Sequence, residues 1–100
     1  MSFLKGRTVR IIVSEPPGWA QGNLFGTIIY DRGGEQIIVK LSNEIKGLKV
    51  TSNLLKLSPC YENATFKPLT QDYSMMVGGE LIKENSSEFE YVLNGIVSID

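Results

Sequence analysis

Apolar and polar residues alternate along most of the chain with a period of two, so strands are predicted throughout and no amphipathic helix is expected. The first predicted strand, residues 8–14, sets Val9, Ile11 and Val13 on one face and Arg10 and Ile12 on the other. Residues 15–23 break the pattern: Pro16 and Pro17 lack amide donors, and Gly18 and Gly22 permit unusual backbone angles, so a long loop follows. Residues 24–30 and 36–41 read as a hairpin across Asp31-Arg32-Gly33-Gly34-Glu35, where the glycine pair supplies the positive φ of a tight reversal. A second turn is expected over 42–47, then a strand over 48–57 with a bend near Ser52-Asn53, ended by Ser58-Pro59. Residues 60–73 hold no regular period and read as a connector. Residues 74–83 and 88–99 form a last hairpin across 84–87, with Phe89, Tyr91 and Leu93 expected on the buried face and Glu88 and Glu90 on the solvated one.

Short strands separated by modest turns define an all-β fold that must close on itself or stack in two layers. The expected architecture is one all-β domain over residues 1–100, a small SH3-like or antiparallel barrel with an additional C-terminal β-hairpin. Residues 1–60 supply the barrel-like core, 61–73 the connector and 74–100 the hairpin. Three places stay open for that hairpin: it completes the barrel, packs beside it, or pairs with a second chain. The third follows from the apolar run at 91–99, which carries no charge and would be a hazardous free edge.

At 100 residues the chain buries one core, and 42% apolar with 21% charged residues is the composition of a globular protein. No secretory signal is read at the N-terminus, and apolar runs such as Ile11-Ile12-Val13 are far too short to span a membrane as helices, so a cytoplasmic protein without membrane association is expected. The single cysteine, Cys60, suits a reducing compartment, and Asn63-Ala64-Thr65 and Asn85-Ser86-Ser87 are discounted as glycosylation sites. Residues 1–60 carry eight basic and four acidic groups, whereas 61–100 carry two and seven, so the net charge of −1 hides a +4 and a −5 half.

The chain contains no histidine, which removes the commonest general base and metal ligand and every imidazole-dependent triad. No catalytic residue, cofactor or metal is expected. Gly33-Gly34 and Gly78-Gly79 do not open a phosphate-binding helix, and Glu88 with Glu90 are read as a solvated strand face rather than a catalytic carboxylate pair. Trp19, the only tryptophan, is expected to plug a barrel end; the alternative makes it an anchor for a partner, with Tyr30 and Tyr61 as further candidates for that surface. Arg7, Arg10, Lys40, Lys46, Lys49 and Lys56 are candidates for one basic patch of the kind that binds nucleic acid with interleaved aromatics.

Val13-Ser14-Glu15-Pro16, Phe25-Gly26-Thr27-Ile28 and Leu57-Ser58-Pro59-Cys60-Tyr61 carry a resemblance, over about the first sixty residues, to short uncharacterised bacterial SH3-like proteins. The resemblance implies a barrel fold and a bacterial or phage source, and no activity. The expected function is therefore a noncatalytic binding module for a protein partner or its own copy, with nucleic-acid binding through the basic patch as the alternative.

Overall fold

A computed structural model describes residues 4–14, 23–60, 66 and 75–99. The described residues form six strands, β1 (Thr8–Ser14), β2 (Asn23–Asp31), β3 (Ile37–Lys46), β4 (Thr51–Pro59), β5 (Met75–Ile82) and β6 (Phe89–Ile99). Each pairs antiparallel with the next, and β6 returns to pair with β1 from Val9↔Ile99 to Ser14↔Asn94, so the sheet is a closed barrel. Of the three places open to the C-terminal hairpin, the structure shows the first. β5 and β6 are staves of the same barrel, joined to β4 on one side and β1 on the other. With this closure β6 has partners on both sides and offers no free edge to a second chain.

The inward positions are aliphatic. Val9, Ile11, Ile28, Ile37, Val39, Leu55, Leu57, Val77, Leu81, Val97 and Ile99 are each no more than 1% exposed. A barrel of this girth has no room for further side chains where strands bend inward, and glycine fills those places. A Cβ on Gly26 would lie 2.5 Å from Val39 Cγ1 and 2.6 Å from the Lys40 carbonyl oxygen, and one on Gly95 would lie 2.7 Å from the Ile12 carbonyl oxygen. Leu4 and Phe66 are buried near the β2–β3 end, where the Phe66 amide donates to the Gly34 carbonyl at 2.7 Å and the Gly6 amide to the Ile28 carbonyl at 2.7 Å. Phe66, read as part of an irregular connector, is thus a core side chain; Trp19, the expected plug, lies outside the described residues.

The β2–β3 reversal forms as its glycines require. Gly33 and Gly34 have φ of 59° and 83°, and the Gly34 amide donates to Asp31 Oδ1 at 2.6 Å. The next turn falls later than expected. Residues 42–46 belong to β3, with a register shift between Lys40 and Ile45 absorbing the irregularity, and the chain reverses at 47–50.

Leu93 pairs with Gly79 but Tyr91 pairs with Glu80, which leaves Val92 as an extra residue in β6. One extra residue turns the preceding side chains to the opposite face. Leu93 stays inside, as expected, whereas Phe89 and Tyr91 are 62% and 56% exposed and Glu90 sits opposite buried Leu81 on the inward side. The expectation of buried Phe89 and Tyr91 is overturned, and Glu90 is half-buried rather than fully solvated.

Candidate functional site

With the interior filled by aliphatic groups, any binding surface on the described residues is external. Two adjacent rows of outward side chains cross the wall from β2 to β6. In the first, Thr27, Lys40, Leu54, Ile82 and Phe89 follow one another strand by strand; in the second, Tyr30, Ile38, Lys56, Glu80 and Tyr91 do so. Neighbouring members stand about 4.8 Å apart along the hydrogen-bonding direction.

Two bulges shape this wall. In β2 the register shifts between Ile28 and Tyr30, so Ile29 and Tyr30 both face outward, at 38% and 52% exposure. In β6 the extra Val92 sends Phe89 and Tyr91 out at the far end of the same rows. Between them lies a groove of about 530 Å³ with an aliphatic floor of Ile29, Ile38, Leu54 and Ile82 and a polar margin of Lys40, Asn53, Lys83 and Glu84. A shallower hollow, about 390 Å³, continues it past Phe25, Thr27 and Ser42, sharing Ile29 and Lys40. In the second row Lys56 Nζ and Glu80 Oε2 are 3.4 Å apart, both side chains about one-third exposed. Tyr91 lies against Gly78, whose missing side chain leaves room for the ring, and its hydroxyl donates to Asn94 Oδ1.

The basic residues named from sequence divide into groups. Arg10 is on β1 opposite Phe25 and Ser98. Lys40 and Lys56 stand on neighbouring β3 and β4, diagonal to each other on the outer wall. Lys46 ends β3 and Lys49 lies in the 47–50 turn, both at the barrel end away from the β2–β3 reversal; Arg7 precedes β1 beside Ile28. Tyr30 belongs to the outer wall, while Trp19 and Tyr61 lie outside the described residues.

Sequence reading missed the apolar wall, although a signal for it is present. Ile11-Ile12, Ile28-Ile29, Ile37-Ile38, Leu54-Leu55 and Leu81-Ile82 are consecutive aliphatic pairs on five of the strands. Neighbours in a strand point to opposite faces, so each pair must place one member outside. Four of the outward members, Ile29, Ile38, Leu54 and Ile82, meet in the groove.

Glu90, the other residue missed, performs a structural task. Its carboxylate accepts the amides of Leu48 at 2.9 Å, Lys49 at 2.5 Å and Val50 at 2.9 Å, fastening the 47–50 turn across the barrel end from β6. Those three donors, that of Lys49 first, hold its carboxyl below the ordinary glutamate range, and partial desolvation opposes them. Val50 is buried beneath this turn, and a Cβ on Gly47 would lie 2.7 Å from Glu90 Oε1. Glu88 precedes β6 and takes no part.

Cys60 is an exposed thiol, and no group of three metal-ligating side chains occurs among the described residues. Among the described residues, no helix is long and apolar enough to cross a membrane. Compared with protein-family models, curated proteins and solved structures, the chain finds no match.

Proposed function

We propose that this chain is a noncatalytic binding module that engages protein through the outer wall of β2–β6. The observation that carries the reading is the outward surface on which Ile29, Tyr30, Ile38, Leu54, Ile82, Phe89 and Tyr91 lie together along the two adjacent rows. Scattered exposed hydrophobics are ordinary, whereas a contiguous patch is characteristic of a contact surface. Tyr30 at the β2 end and Phe89 and Tyr91 at the β6 end add rigid area that loses little entropy on contact. The two bulges turn Tyr30 and Tyr91 outward onto the same wall.

The test is site-specific photocrosslinking. Benzoylphenylalanine at Ile38, in the wall, is expected to yield a covalent protein adduct in cells, and the same group at Ser98, on the β1–β6 side, is not. Equal yields at both sites, or none at Ile38, would refute the reading.

A further inference from the structure

We infer that the partner of this wall is a second copy of the same chain, docked face to face about a two-fold axis parallel to the strands over the β4–β5 boundary. The inference rests on the binding-module reading above and names its occupant. Such an axis lays β4 of one copy over β5 of the other, and β3 over β6, while keeping each row over itself. In the second row Lys56 then faces Glu80 of the second copy, and Glu80 faces its Lys56. In the first row Leu54 faces Ile82, and Lys40 faces the ring of Phe89, an aromatic face that attracts a cation. Each pairing follows from the observed register, in which Lys56 stands opposite Glu80, and Leu54 opposite Ile82, across the β4–β5 boundary.

Isologous contacts require this property, that a patch complement itself when inverted. The middle of the wall holds a cation and an anion on neighbouring strands, 3.4 Å apart. A partner of single sign would leave one of them facing like charge, and a nucleic-acid backbone would set phosphates against Glu80; another copy meets both groups with their opposites. Lys40 makes no ion pair with a described residue, so its charge is available to the facing ring. Sheets packed face to face cross at about 30°, and the barrel curves away, so the inner pairs carry the contact. The interface is therefore small, and the dimer is expected to form reversibly at micromolar concentrations and above.

Sedimentation across a concentration series tests this, using Lys56→Glu and Glu80→Lys. The wild type is expected to move from the 11.1 kDa chain mass towards twice that mass. Each variant alone sets like charges face to face and is expected to associate roughly tenfold or more weakly. An equimolar mixture of the two places opposite charges at every crossing and is expected to restore association as a heterodimer. A bridge acting only within one chain cannot be restored by mixing. The proposal is overturned if the wild type stays monomeric at millimolar concentration, if either variant associates undiminished, or if the mixture stays monomeric. A monomeric wild type whose Ile38 adduct contains a different protein overturns the second copy while leaving the binding module standing; the absence of any adduct removes both. A monomer that instead shifts with an oligodeoxythymidylate, lost in Lys40→Glu, assigns the wall to nucleic acid and overturns the proposal.

Discussion

A carboxyl that collects three backbone amides accepts them most strongly while it is ionised. Glu90 is held below its ordinary value by the amides of Lys49, Leu48 and Val50, so its folded state releases the proton more readily than the unfolded chain does. A depressed folded value adds stability that is fully present above the unfolded glutamate value, about 4.3, and is lost as pH falls through the lower folded value. Glu90→Gln, which keeps the shape but removes the charge, is thus expected to melt below the wild type at neutral pH, with the gap narrowing through the acid range. Thermal melts from neutral to about pH 2 measure it. A gap unchanged at the acid end would show that the turn is held by something other than the ionised carboxylate. Gly47 belongs to the same device: with the Glu90 Oε1 oxygen 2.7 Å from its notional Cβ, no larger residue fits without displacing the carboxylate.

Within single strands, alternation alone was sufficient wherever pairing is regular. Val9, Ile11 and Val13 on β1 face inward as their period requires, and the Gly33-Gly34 reversal forms where it was expected. What alternation cannot disclose is an inserted residue, because a bulge leaves composition untouched and depends on the opposing strand. The exposure of Phe89 and Tyr91 follows from Val92, and that of Tyr30 from Ile29, neither of which differs in type from a regular strand residue. The expected turn at 42–47 failed for a related reason: Ser42-Asn43-Glu44 has turn-forming residues, yet β3 absorbs them in an irregular stretch and continues to Lys46. If the bulge sets the faces, deleting Val92 must move either residues 89–91 or 93–99 to the wrong side. Val92→Ala, which only trims a partly buried side chain, is expected to lower stability by about 1 kcal/mol. The deletion is expected to lose several times more, because Glu90 would leave the turn and Phe89 and Tyr91 would be forced inward. Denaturant unfolding of both compares them; equal losses would mean that the extra residue does not govern the facing.

Across the whole molecule, five of the six strand pairings join neighbours in sequence, and only the β1–β6 seam brings the two ends of the chain together. That seam is what pattern alone could not place, since a terminal apolar strand reads the same whether it closes its own barrel or meets another chain. Closure also decides how the outer wall is built, because β6 supplies Phe89 and Tyr91 to rows that begin on β2. A division after residue 60 therefore marks no independent unit: β4 pairs with β5 from Leu54↔Ile82 to Pro59↔Val77, and the core runs through both halves. Removing the chain beyond residue 88 tests this dependence. The loss takes Leu93, Val97 and Ile99 out of the core, at about 2 kcal/mol for each buried side chain, or about 6 kcal/mol together. It also exposes the ladder edges of β1 and β5 and frees the 47–50 turn from Glu90. Against a total stability of about 5–15 kcal/mol for a domain, these losses together are expected to leave the shortened chain unfolded. Circular dichroism and amide dispersion in proton NMR give the answer. A folded, β-rich fragment without β6 would show that the first five strands hold a core of their own, and that the seam is an addition to the barrel rather than the contact on which it depends.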